Sequence, residues 1–206
     1  MGGIAMGDRK ILSESSAAEC STDTGAQVAL EDIGLRAATE ADADFLREVF
    51  SSTRVDEFVR AGLPAEQIEP LLANQFSIQH DYYRRHYPVG RFDVITYGGI
   101  RVGRLYHDWS GDAAQLIDIA LLPAYRGMGI GSHLMRGLVR EAACKHVPMR
   151  LYVEHDNPVR ALYRRLGFVT SGENGIYELM VRAAMPFDEE GPRQSSNDDF
   201  QSSAFA

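Results

Sequence analysis

Between an apolar run ending in Leu121-Leu122-Pro123 and a long amphipathic pattern lies Arg126-Gly127-Met128-Gly129-Ile130-Gly131-Ser132, with glycine at every second position. Ile130, Leu134, Leu138 and Ala142 then recur at spacing four, with Met135 and Val139 beside them, which predicts a helix over Gly127 to His146. Glycines so placed leave backbone N–H groups unobstructed, and a helix opening there aims its unpaired N–H groups and positive dipole end at whatever sits against the turn. An anion site follows, suited to a phosphate or pyrophosphate, with Arg126 able to add charge-assisted hydrogen bonds. A tight strand-to-helix connection is the plainer reading of the same glycines.

Two phosphate-binding readings separate on residue type. A P-loop needs lysine before its Ser or Thr, and Gly131 is followed directly by Ser132. That reading fails. A dinucleotide fingerprint needs glycines at relative positions one, three and six; counted from Gly127 the last falls on Ser132, while Glu154 or Asp156 stands where an acidic ribose ligand would. Against it, Pro123 to Arg126 intervene between strand and first glycine, and the chain offers one crossover. It leaves a nicotinamide-dependent oxidoreductase as a lesser alternative.

Around this turn the patterns alternate between strand and helix. Leu35 to Ala37 reads as a short strand, Thr39 with Asp42 as a capping box, and Phe45, Leu46, Val49 and Phe50 as one helical face. Pro70 is placed at the start of a helix running through Leu71, Gln75, Phe76, Gln79 and Tyr83, since proline is tolerated in a first turn. Arg91 to Tyr97, Gly99 to Tyr106 and Ala114 to Leu122 read as three strands of an antiparallel meander, separated by Gly-Gly and Trp-Ser-Gly-Asp turns. Arg150 to Glu154 is a strand, Pro158 to Leu166 a short helix, and Gly167 to Val169 with Ile176 to Val181 the closing strands. The expected fold is α/β: a mixed, mostly antiparallel sheet with a central parallel βαβ crossover flanked by helices.

Charge locates the folded part. Residues 1–32 and 188–206 are each net −4, which accounts for the whole formal charge of −8, whereas residues 33–187 are balanced. The two ends, poor in apolar periodicity, are expected to be a disordered acidic leader and tail around one domain over 33–187. A neutral domain argues against nucleic acid as partner. Cys20 and Cys144 are too few for a disulfide framework or metal cluster, no apolar run would serve as signal peptide or membrane span, and a cytoplasmic protein without metal is expected.

The run Arg126 to Gly131, after a strand ending in Leu-Leu-Pro, resembles the acyl-CoA motif of the GCN5-related N-acetyltransferases: Arg or Gln, two residues, Gly, one residue, Gly or Ala. Downstream, Asn157-Pro158, Leu162-Tyr163 and Leu166-Gly167-Phe168 are similar to that family's second cofactor segment. The resemblance spans Leu35 to Val181 and is sharpest from Leu116 to Phe168. It implies that the N–H groups of Arg126, Gly127, Met128, Gly129, Ile130, Gly131 and Ser132 cradle the pyrophosphate of acetyl-CoA, the cosubstrate. The pantetheine arm would follow the preceding strand, and the thioester carbonyl would meet an N–H near Leu121 or Leu122. Asn157, also a good N-cap, would bond the cofactor arm. Tyr163 would be the general acid for the departing thiolate, against the alternative of a packed ring.

Attack by an amine also needs a group to take its proton. Asp118, mid-strand among apolar neighbours, and Glu154 are the candidates carried forward, with His155 and His107 beside them; a buried ion pair serves Asp118 equally well. Arg54, Glu57, Gln79, Tyr82 and Tyr83 are candidates for the acceptor pocket. The expected activity is transfer of an acetyl group to a primary amine, on a small molecule or a protein, by direct attack in a ternary complex. No membrane partner is expected, and a homodimer is left open. A non-catalytic acyl-CoA binding or sensing module is the competing class.

Overall fold

The computed structural model describes residues 30–184. The acidic ends expected at 1–32 and 188–206 lie outside the described residues, except that Leu30–Asp32 form a 3-10 turn. The domain boundary at 187 also lies outside them.

The chain runs β1 (Ile33–Ala37), α1 (Ala43–Arg60), α2 (Ala65–His86), β2 (Arg91–Tyr97), β3 (Ile100–Asp108), β4 (Ala114–Leu121), α3 (Ile130–Lys145), β5 (Met149–Glu154), α4 (Arg160–Arg165), β6 (Val169–Asn174) and β7 (Tyr177–Arg182). These strands form one sheet in the order β1-β2-β3-β4-β5-β7-β6. Only β4 and β5 pair in parallel, joined by α3; the other pairs are antiparallel. This is the expected mixed sheet with a single crossover. Among the described residues no doubly wound parallel sheet, which the dinucleotide reading requires, is formed.

Strand alternation sends neighbouring residues to opposite faces. Val94 and Tyr106 pack with Phe45, Leu46 and Val49 of α1 on one face. Ile95, Leu105, Leu116 and Leu151 pack on the other with Leu134, Leu138 and Ala142 of α3 and Tyr163 of α4. The Thr39/Asp42 capping box forms and opens the chain into α1, and Arg36 and Arg101 both hold the buried Asp42 carboxylate. The hydrogen bonds from Arg36 above all keep that carboxyl well below the usual range.

Element starts differ from expectation: α3 begins at Ile130 rather than Gly127, α4 at Arg160 rather than Pro158, and β6 covers Val169–Asn174 rather than Gly167 to Val169. The largest difference is in α2. Pro70 lies inside α2, which begins at Ala65 after Pro64 in the cap position. A mid-helix proline removes one backbone bond and crowds the preceding turn. Here Ile68 and Leu72, on either side of Pro70, are both buried against Phe50, so packing holds the helix continuous across it.

Candidate functional site

The parallel pairing of β4 with β5 is short. Ala114, Gln115 and Leu116 face Met149, Arg150 and Leu151, and beyond Leu116 the two strands have no further pairs. A bulge accompanies the parting: Tyr106 faces Asp118 but His107 faces Leu116, so Ile117 is the extra residue. A bulge bends its strand and re-aims side chains. Beyond it the ladder continues on the β3 edge only. Leu122 donates its N–H to Val102 O at 2.9 Å. By the alternation of an antiparallel ladder, Ile119 and Leu121 therefore turn their N–H groups to the opposite edge, into the opening.

A cleft of about 550 Å³ occupies this split. Gly127, Gly129, Gly131 and Ser132 line one end of it, at the start of α3. Ile119 to Leu121 form a wall, and Asp118, Glu154, Asn157 and Tyr163 also face it. Thus all three catalytic candidates and most of the proposed cradle converge on one cavity. Met128 does not line it; its side chain packs on the core beneath α3.

The glycine turn has the geometry of a cradle. Gly127 and Gly129 adopt φ of +76° and +85°, a region costly for residues with a Cβ. At these two positions and at Gly131, a Cβ would meet no protein atom within 4 Å, so the turn faces open space. The helix's first backbone bond is from His133 N–H to Gly129 O, and no side chain caps the turn. The N–H groups of Ile130, Gly131 and Ser132 are left without helical partners. A coenzyme A diphosphate fits that donor set.

Arg126 acts differently from expectation. Its Nε donates to Leu121 O at 2.8 Å, and one terminal nitrogen donates to Ser52 O and Oγ at 2.9 and 3.0 Å. The side chain clamps the turn to α1 rather than reaching freely for an anion. Leu122 is a second correction, because its N–H belongs to the β3 ladder; Leu121 offers the free one. Asn157 Oδ1 accepts from the Val159 N–H at 3.0 Å, a local turn ahead of α4, whose N-cap is Val159 rather than Asn157.

Tyr163 is 4% exposed, its ring 5.9 Å from Phe168. Burial, and then the Asp118 charge, push its phenol well above the ordinary value. Tyr83 responds in the same way to the same two causes. Asp118 itself is bound by Arg104, whose terminal nitrogen lies 2.5 Å from Oδ2.

His107 is placed outside the cleft. It is buried at the end of β3, accepts the Trp109 indole N–H on Nδ1 at 2.7 Å, and lies near Asp93. Its place in a buried network beside the bulge, not at the strand split, removes it as a base. His155 also does not line the cavity. Among the acceptor candidates, Arg54, Glu57, Gln79 and Tyr83 line the cleft, whereas Tyr82 is exposed and stacks on His86. Sequence reasoning missed Arg104, Tyr152 and Tyr177, which also line it. Arg104 carried a signal: an arginine between Val102 and Leu105 in an apolar strand calls for a partner, as Asp118 does.

A family model described as acetyltransferase (GNAT) family matches residues 52–168. Comparison with curated proteins finds no significant match. Among solved structures, a PaiA N-acetyltransferase from Thermoplasma acidophilum in complex with coenzyme A is 22% identical, with a TM-score of 0.57 over 73% of this chain and 98% of that one. An acetyltransferase from Thermus thermophilus is 22% identical, with a TM-score of 0.53 over 73% and 96%. A spermidine N-acetyltransferase SpeG chimera from Vibrio cholerae and hSSAT is 19% identical, with a TM-score of 0.52 over 74% and 96%. At these identities the likeness is one of fold.

Proposed function

Because the chain belongs to the acetyltransferase (GNAT) family, we propose that its cleft transfers an acetyl group from acetyl-CoA to a primary amine by direct attack in a ternary complex. The observation that carries this reading is the continuity of the cavity. It runs from the open glycine turn, along the free edge of β4, to Tyr163 and Asp118.

When bound, acetyl-CoA supplies an acyl group activated as a thioester. The N–H groups of Gly127 to Ser132 hold the diphosphate, and α3 adds the field of its positive end. Ile119 and Leu121, with no strand on their open edge, donate to carbonyls lying along β4. An N–H so placed stabilises negative charge on a reacting carbonyl oxygen without reorganising. Tyr163 keeps its proton far above neutral pH and donates it toward the departing sulfur. Asp118 or Glu154, at the same cavity, takes the proton from the incoming ammonium, directly or through water. The acceptor enters past Thr53, Glu57, Gln79 and Tyr83.

Thiol release from acetyl-CoA, measured over a panel of small amines and peptide N-termini, tests this. Amine-dependent release supports transfer. Saturable CoA binding with no release for any amine would identify a binding module instead.

A further inference from the structure

We propose that Arg104 is a positioning residue for acyl transfer, holding the Asp118 carboxylate in one orientation at the strand split. The assignment rests on the acyl-transfer reading of the cleft.

Arg104 lies on β3 opposite Ala120, and Asp118 lies opposite Tyr106, so the two are diagonal neighbours across the ladder. The bulge at Ile117 brings Asp118 to that face. One Arg104 terminal nitrogen serves two partners, Asp118 Oδ2 at 2.5 Å and Gln79 Oε1 at 3.0 Å. It thereby joins the split strand to α2, the helix covering the acceptor side. The guanidinium carbon lies 5.3 Å from the Tyr106 ring centroid and 5.7 Å from that of Phe50, which restricts its movement.

The carboxylate is bound on one side. Asp118 Oδ2 is inaccessible to solvent, yet the side chain as a whole is 19% exposed. The oxygen left for the cleft is Oδ1. Arg104 thus fixes which oxygen meets an acceptor amine.

A purely structural role accounts poorly for the pair. Buried ion pairs add little stability over apolar residues of the same volume, and this one is an ion contact that leaves both Arg104 Nε and Asp118 Oδ2 without a hydrogen bond. The pair is nevertheless kept at the wall of the cleft, where the Asp118 charge also acts on Tyr163 and Tyr83.

Arg104→Gln, Arg104→Lys, Asp118→Asn and the double variant Arg104→Gln/Asp118→Asn test the assignment, with kcat read by thiol release and CoA affinity by titration. Arg104→Gln is expected to lower kcat by about 100-fold, as for a misplaced reacting group. CoA affinity should hold within about twofold, and Arg104→Lys should recover part of the loss. In the Asp118→Asn background, Arg104→Gln should cost nothing further, because the two act as a unit. The double variant leaves neither charge buried alone, so if either single variant does not fold the double is read against the unaltered protein, where kcat kept within about twofold would overturn the assignment. Unchanged kcat in Arg104→Gln or Asp118→Asn, or losses that multiply in the double variant, would overturn the assignment while leaving acyl transfer standing. Absence of amine-dependent release from the unaltered protein would end both.

Discussion

Arg126 donates to the backbone carbonyl of Ser52, 74 residues earlier in the chain, at 2.9 Å, and through Nε to Leu121 O at 2.8 Å. One side chain therefore fastens the glycine turn both to the end of β4 and to α1. The anion site proposed for this turn would be built from main-chain N–H groups that the clamp holds in place.

Arg126→Ala should thus act on the free protein. Loss of charged hydrogen bonds on a partly exposed side chain costs about 1 kcal/mol, or about 2 to 4 °C in Tm. CoA affinity should fall as the turn loosens. A weaker affinity with unchanged Tm would mean that Arg126 serves the ligand alone.

Gly131 and Gly129 should respond with opposite signs. Gly131 sits in the first turn of α3 without positive φ, and a Cβ there meets no protein atom. Gly131→Ala should raise Tm slightly, worth about 0.5 kcal/mol of helix propensity, and should keep CoA binding, since the motif this turn resembles admits alanine at that position, whereas the longer side chain of Gly131→Leu would fill the cradle and weaken it. Gly129→Ala should lose about 1 to 2 kcal/mol to its left-handed φ. Normal CoA binding by Gly131→Leu would show that the turn does not hold the ligand.

Tyr163→Phe should lower kcat by about 100-fold or more with little change in CoA affinity. Burial and Asp118 keep the phenol protonated, so wild-type activity should show no loss from phenol ionisation between about pH 7 and 10. Unchanged turnover in the variant would remove Tyr163 as the acid.

Trp109, the chain's single tryptophan, reports on His107. An indole N–H only donates, so His107 Nδ1 accepts and the imidazole is neutral, with its Nε2 3.8 Å from Asp93 Oδ2. Arg91 pairs with Asp93, Lys145 lies 4.2 Å from the indole centroid, and Glu141 pairs with Lys145. Burial, opposed by the Asp93 charge, lowers the folded histidine's pKa below its unfolded value. The unfolded state then binds more protons in that window, so this stability is complete above about pH 6.5 and is lost as pH falls below it. Trp109 emission and Tm should change together there. His107→Gln should flatten both profiles; an equal slope in that variant would refute the linkage.

The proposed cofactor side was legible in the sequence because backbone geometry encodes its elements: glycines at fixed spacing, Asn157-Pro158 and the amphipathic face from Ile130 to Ala142 each specify a local conformation. The single crossover was legible for the same reason. The parting of β4 from β5 was not, since the bulge at Ile117 depends on register with β3. Nor was the fate of Arg126, whose partner Ser52 is distant in sequence. Pro70 misled because burial of Ile68 and Leu72 outweighed the local penalty. The proposed acceptor side rests on long-range pairs such as Arg104 with Asp118, which periodicity does not encode.

The most direct test follows backbone amide resonances while CoA is added. The largest shifts should fall on Gly127 to Ser132, with further shifts at Ile119 and Leu121 on the open edge of β4. Saturable binding that leaves Gly127 to Ser132 unmoved would contradict the account.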